Sequence, residues 1–323
     1  MPILSTDKVT ICFAHPAYQL AAELETRNAN FSFVQAWSRD EISIPLADAD
    51  VLVISAFWND SLLDIAPNLK FIQSIGAGYN QFPLEDLKER GIPLASAQGT
   101  NKFAVADHAL AHILSFARHM HTGRDNQNRR HWRGMIANLD QREDELQGKT
   151  LLIVGMGDIG SRVAKLAKAF DMTVIGSKRN PATAQGPADE VITPDQLLDH
   201  YGRADYVLLT CPLTPETTKI VDAATFAAMK PSAYLINMAR GACVDEAAML
   251  AALQSGSIAG AGLDILVDEP LPEDSPFWAM ENVIITPHTG GETVHYERNL
   301  IDILVENIRR LQTDKSPLVN QIV

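Results

Sequence analysis

Residues 150–170 read TLLIVGMGDIGSRVAKLAKAF. The first five residues form an apolar run suited to a buried strand, and 161–170 carry apolar residues at helical spacing. Between them stands Gly155-Met156-Gly157-Asp158-Ile159-Gly160. A GxGxxG alone arises often by chance, but a strand before it and a helix after it give each glycine a task. Gly155 permits the tight turn, Gly157 lets a pyrophosphate approach the backbone, and Gly160 lets the helix pack against the strand. The unpaired N–H groups at the helix N-terminus then face the anion. An ordinary strand-to-helix turn is the plain alternative, and it does not require all three glycines. The segment reads as a dinucleotide site with Gly155, Gly157, Asp158, Ile159 and Gly160 as its contacts.

Outward from this motif the chain alternates between two patterns. Short β-branched runs recur at 9–13, 51–54, 69–74, 151–154, 173–175, 206–209, 234–236, around 261–266, and at 283–286. Helical spacing appears between several of them, as at 159–170 and 246–253. Such alternation predicts α/β architecture, with parallel sheets covered on both faces. Two long helical patterns, 104–121 and about 293–311, flank the central unit. They predict a middle segment inserted into a domain built from both chain ends, with boundaries at 1–102 plus 291–323 and at 103–290. The stretch 180–188, rich in Pro, Gly and Ala, reads as a loop.

Composition bounds the function. The 323 residues carry a net charge of −13, with 46% hydrophobic and 21% charged residues. This is ordinary globular composition, and the acidic balance disfavours a phosphate-backbone partner. Cys12, Cys211 and Cys243 are dispersed and odd in number, which predicts a reducing, cytoplasmic setting with no disulfide framework and no structural metal. Asp7 and Lys8 interrupt the N-terminal segment where a secretory leader needs an apolar run, and no stretch is long enough to span a membrane.

Past the next strand, where a carboxylate normally binds the ribose of NAD, the chain has Gly176-Ser177-Lys178-Arg179 and no acid between Asp171 and Asp189. Ser177, Lys178 and Arg179 suit a 2′-phosphate, which predicts a preference for NADP(H) with NAD(H) still possible. The alternative is a solvated basic turn with relaxed selectivity.

Three polar residues follow predicted strands: Arg240, Glu269 and His288. Each has a bland alternative: a surface ion pair, a solvated loop acid and a capping or core histidine. The carboxyl edge of an open α/β sheet carries the ligand crevice, so the three can converge behind a dinucleotide motif. Together they suit reduction of a 2-oxo acid. His288 would donate a proton to the carbonyl oxygen as hydride reaches the carbon. Glu269 against the second imidazole nitrogen would favour the protonated ring, and the Arg240 guanidinium would hold the substrate carboxylate.

The segments GMGDIG at 155–160, CPLTPETT at 211–218, NMARGACVDE at 237–246, LDILVDEP at 263–270 and TPHTGG at 286–291 resemble the D-2-hydroxyacid dehydrogenase family. The resemblance spans nearly the whole chain. It implies two Rossmann-like doubly wound domains, the cofactor domain inserted into a flavodoxin-like substrate domain, and Arg240, Glu269 and His288 as the catalytic trio. It also implies that Asp264 binds the nicotinamide carboxamide, that Cys211, Pro212, Met238 and Gly290 line the cofactor, and that the Ala77 and Gly78 amides hold the substrate carboxylate beside Arg240. A homodimer joined through 103–146 is implied too. Trp132 is either an aromatic extended toward the partner's active site or a packing residue of that arm.

No Lys or Arg lies between Val51 and Leu69, where a phosphorylated substrate would want a cation, and Phe57 and Trp58 follow a strand end. Trp58 is therefore a candidate pocket wall, with a core aromatic as the alternative. The expected substrate is a small 2-oxo acid of the glyoxylate or hydroxypyruvate type. With 35 residues after His288, the expectation is an enzyme without the regulatory domain of many phosphoglycerate dehydrogenases. An NAD-dependent phosphoglycerate-type enzyme is the runner-up, and an NAD(H)-sensing corepressor a distant third.

Overall fold

The computed structural model describes residues 3–5, 8–27 and 31–323; Asp7, read above against a secretory leader, lies outside them. The chain divides into two compact units, Met1–Asn101 with Thr293–Val323, and Lys102–Glu292. Among the described residues each unit holds one sheet whose named strands all pair in parallel, as the alternation predicted.

The first unit contains β1 (Val9–Ala14), β2 (Phe31–Ala36), β3 (Val51–Ile54), β4 (Phe71–Ser74) and β5 (Leu94–Ala95). Their order, β2-β1-β3-β4-β5, is the flavodoxin-like arrangement. Side chains alternate between the faces because successive Cβ atoms point to opposite sides. Ile11, Phe13, Val51 and Val53 pack with Leu300, Ile301, Leu304 and Ile308 of the helix Tyr296–Gln312. Leu52, Ile54 and Ile72 pack on the other side with Ile42, Leu46, Leu62 and Leu87.

The second unit contains β6 (Thr150–Val154), β7 (Thr173–Ser177), β8 (Glu190–Ile192), β9 (Tyr206–Leu209), β10 (Tyr234–Asn237), β11 (Gly260–Leu263) and β12 (Val283–Ile285), ordered β12-β11-β10-β9-β6-β7-β8. The strand order reverses between β6 and β9, the switch point at which doubly wound sheets bind ligands. Leu151 and Ile153 face the helices Lys102–Ala117 and Asp158–Ala169, while Leu152 and Val154 face the opposite core layer.

Four expectations change. The edge strands β2, β5 and β8 add to the runs read from the sequence. The helical pattern at 104–121 is two helices, Lys102–Ala117 and Met120–Asn128, separated at His119, whose φ is 49°. The first has a buried stripe that ends at Ala117, whereas the second buries none of its residues, so nothing in the core keeps their axes continuous. The strand at 173–175 runs on to Ser177, and the loop at 180–188 contains a 3-10 turn, Pro181–Thr183.

Candidate active site

The glycines of 155–160 sit at the β6/β9 switch point. Gly155 has φ +112°, and a Cβ there would lie 2.7 Å from the Cys211 backbone nitrogen just past β9. A Cβ on Gly160 would lie 2.3 Å from the Gly155 carbonyl oxygen. Gly157 has nothing within 4 Å of its Cβ position, so the space over its backbone is open. It caps the helix beginning at Asp158 and Ile159, whose first N–H groups lack intrahelical acceptors. A cleft of about 410 Å³ opens here, lined by Gly155, Gly157, Lys178, Arg179, Cys211 and Pro212 among others. The open backbone, helix N-terminus and cation-bearing rim fit a dinucleotide.

The basic turn is not uniform. Ser177 is 3% exposed and ends β7; its carbonyl accepts the Gly155 and Met156 N–H groups at 3.2 and 2.9 Å. It therefore fixes the glycine loop through its backbone. Lys178 Nζ donates to the Thr183 carbonyl at 2.8 Å, and Arg179 is exposed. Glu216, across the same cleft, is held below the usual carboxylate range chiefly by a hydrogen bond with Thr214, with a smaller contribution from Arg179. The buried Cys211 thiol is pushed up by its hydrogen bond with Cys243 and by desolvation, so it is a neutral, apolar wall.

Arg240, Glu269 and His288 leave three neighbouring strands, β10, β11 and β12, at the same sheet edge. Their turns are tied together. The buried Asn237 amide donates to the carbonyls of Arg240 and Ile265, at 3.1 and 3.3 Å. A Cβ on Gly241 would fall 2.1 Å from the Leu266 carbonyl carbon, so only glycine lets the Arg240 turn lie against the β11 exit. Leu266 N–H donates to Glu269 Oε1 at 3.1 Å, and Glu269 Oε2 lies 2.8 Å from His288 Nδ1. A carboxylate there assigns the ring proton to Nδ1 and leaves Nε2 as the second functional nitrogen. Arg240 is exposed, with Nη1 donating to the Ala239 carbonyl at 2.7 Å.

The turn carrying His288 is built around Asp264, which is 2% exposed. Its Oδ1 accepts from the Thr286 hydroxyl at 2.6 Å and from the N–H groups of Thr289 and Gly290 at 3.0 Å. His288 itself has φ +54° and donates its N–H to the Asp264 carbonyl at 2.9 Å. A left-handed conformation is unfavourable for a residue with a side chain and persists where surrounding contacts impose it. Gly290 fits beneath Met238: a Cβ would lie 2.5 Å from Met238 Cε. The structure thus brings Asp264, Met238 and Gly290 together. The sequence does not disclose the role of Thr286, whose hydroxyl joins them: TPHTGG places it beside His288, but its contact with Asp264 is tertiary.

In the first unit, Ala77 and Gly78 follow β4, and among the described residues neither N–H has an acceptor. Trp58 is 8% exposed; its ring packs on Phe82 at 4.7 Å and its N–H donates to Asp60. This side chain belongs to the core, which favours the packing alternative over a pocket wall. Trp132 is 97% exposed. Among the described residues no cluster of His, Cys, Asp or Glu could hold a metal ion, and no helix is long and apolar enough to cross a membrane.

A model of the D-isomer specific 2-hydroxyacid dehydrogenase NAD binding domain matches residues 110–290. The chain belongs to this family of enzymes. A glyoxylate/hydroxypyruvate reductase B of Yersinia pestis is 36% identical to this dehydrogenase-family chain over 275 residues, covering 84% of it and 83% of the relative. A D-3-phosphoglycerate dehydrogenase of Methanocaldococcus jannaschii is 31% identical over 306 residues; the match covers 94% of this chain but 57% of that protein's length. Among solved structures, an NADPH-dependent glyoxylate/hydroxypyruvate reductase from Sinorhizobium meliloti superposes with a TM-score of 0.82 at 25% identity, covering 98% of each chain. This member therefore has an NAD-binding domain and the fold of reductases acting on 2-oxo and 2-hydroxy acids.

Proposed function

We propose that the chain reduces a small 2-oxo acid of the glyoxylate or hydroxypyruvate type to the D-2-hydroxy acid, using NADPH. The observation that carries this reading is the 2.8 Å contact between His288 Nδ1 and Glu269 Oε2, on the sheet edge that also holds the glycine loop. A nicotinamide held here would supply the hydride. His288 would place a proton at the carbonyl oxygen, Glu269 would hold the ring through Nδ1, and Arg240 would bind the substrate carboxylate through its planar fork. The free N–H groups of Ala77 and Gly78 are suited to a carboxylate as well.

Gly155, Gly157, Asp158, Ile159 and Gly160 would hold the pyrophosphate, with Cys211, Pro212, Met238, Asp264 and Gly290 along the rest of the dinucleotide. Arg179, with Lys178 after exchange of its contact to Thr183, would take the 2′-phosphate. A carboxylate is missing where NAD enzymes place one, and the S. meliloti relative is described as NADPH-dependent. The absence of a cation between Val51 and Leu69 argues against a phosphorylated acid. Exposed Trp132, Met135 and Leu139 support a homodimer through this arm, and three buried free cysteines suit the cytoplasm.

The test is a kinetic grid of NADPH and NADH against glyoxylate, hydroxypyruvate, pyruvate and phosphohydroxypyruvate. The expected result is highest kcat/KM with NADPH and an unphosphorylated acid. Turnover confined to NADH and the phosphorylated acid would replace this reading with the phosphoglycerate type.

A further inference from the structure

His108 and His112 stand one turn apart on the helix Lys102–Ala117, their rings 4.9 Å apart and edge-on. Neither has a part in the reaction proposed above. Gly262 on β11 makes room for the His112 ring, since a Cβ there would lie 2.7 Å from His112 Nδ1. Both rings direct Nε2 at one atom, Thr286 Oγ1, at 2.9 Å from His108 and 3.5 Å from His112.

The direction of these hydrogen bonds follows from the chemistry of the groups. Asp264 Oδ1 already accepts two backbone N–H groups, so the Thr286 hydroxyl donates to it. The hydroxyl proton is thereby committed, and the Thr286 oxygen can only accept from His108. His108 must then carry a proton on Nε2, which also lies 3.6 Å from Asp264 Oδ1. Thr286, Thr289 and Gly290, the three residues clamped by Asp264 Oδ1, bracket His288.

We propose that His108 is a positioning residue for His288: by donating from Nε2 to Thr286 it aims the hydroxyl at Asp264 and holds the 286–290 turn in the conformation that presents His288 to Glu269. The link runs across 178 residues of sequence and acts entirely through Thr286 and Asp264. This inference rests on His288 being the proton donor.

Replacing His108 by Phe keeps a ring beside His112 and removes the donor; replacing it by Gln returns an N–H at similar reach. His108→Phe is expected to lower kcat about tenfold with KM for the 2-oxo acid unchanged, as misplacement of a reacting group does. His108→Gln should recover most of that loss. Thr286→Val, which keeps volume while deleting the hydroxyl, should reproduce the Phe variant, and in a His288→Asn background His108→Phe should cost nothing further. A reduced Tm with kcat and KM altered together and no recovery in the Gln variant would overturn the inference in favour of simple packing. If the wild-type chain turns over 2-oxo acids and His108→Phe matches it, the inference fails alone. If the wild-type chain reduces none of them, the functional reading fails and takes this inference with it.

Discussion

Glu269 Oε2 lies 2.8 Å from His288 Nδ1, while the other oxygen of the same carboxylate accepts the Leu266 N–H at 3.1 Å. Both oxygens are occupied, so the carboxylate is fixed to the β11 exit and the imidazole is fixed to the carboxylate. Losing a positioned general acid costs about 10²- to 10⁴-fold, so His288→Asn is expected to lower kcat by that amount. Glu269→Gln should cost about 10- to 100-fold, in the upper part of the roughly 0.5–3 kcal/mol by which contacting residues couple. The double variant should be no slower than His288→Asn alone, because the carboxylate acts through the ring. Losses that multiply in steady-state kinetics would show the two side chains working independently.

The glycines at 157 and 160 should separate binding from folding. Gly160→Ala places a Cβ 2.3 Å from a backbone oxygen, and overpacking of this kind costs about 1–3 kcal/mol, readable as a lower Tm. Gly157→Ala meets nothing within 4 Å in the free protein and should leave Tm unchanged. It should still raise the cofactor KM about tenfold or more, since the methyl group occupies space a pyrophosphate would use and each charge-assisted hydrogen bond is worth about 1.5–3 kcal/mol. An unchanged KM would move the pyrophosphate elsewhere.

Arg179 is exposed on the cleft rim, whereas the neighbouring ammonium of Lys178 is engaged with the Thr183 carbonyl. Arg179→Ser is therefore expected to raise KM for NADPH about tenfold, by loss of one charge-assisted contact, with KM for NADH little altered. Lys178→Ser should have the smaller effect. Equal changes with both cofactors would assign Arg179 a general role in solubility or shape.

Burial, with a smaller contribution from His108, pushes the His112 imidazole down to about 4 from an ordinary 6.5. The unfolded chain binds this proton more readily than the folded one, so the stability present above pH 6.5 is lost as pH falls toward 4. The linkage amounts to about 3 kcal/mol at pH 4. Urea unfolding at pH 7 and at pH 4.5 should show a decline that His112→Leu flattens. The ion-paired carboxylates, exemplified by Glu306 at about 2 between Arg309 and Arg310, lose their own contribution as pH falls from about 4.5 toward 2, overlapping the lower end of the His112 window. An unchanged slope in the variant would mean that His112 is protonated within the fold.

The three polar residues at 240, 269 and 288 could be read before any fold was known because strand ends are local signals, and parallel strands bring their carboxyl ends to one edge. The glycine loop was legible for a similar reason: its turn, open backbone and close helix packing each restrict side-chain size at one position. Other features were invisible. β5 and β8 are too short to show a period, and β2 is a partly exposed edge strand. The helix break at His119 occurs without Gly or Pro, where burial stops. Trp58 follows a strand end as the polar residues do, but its apolar ring finds Phe82 and the core.

Residue order along the chain was thus enough to specify parallel α/β units, a tight glycine turn before a helix and the chemical types available at one sheet edge. Folding was needed to choose which of those groups touch: Glu269 meets His288, Ser177 contributes its carbonyl to the glycine loop, and His108 reaches Thr286. The difference is physical. Turn and strand preferences are set by neighbouring residues, whereas a hydrogen bond between distant side chains depends on how helix and sheet pack, with Gly262 and Gly241 admitting approaches that no local pattern reports.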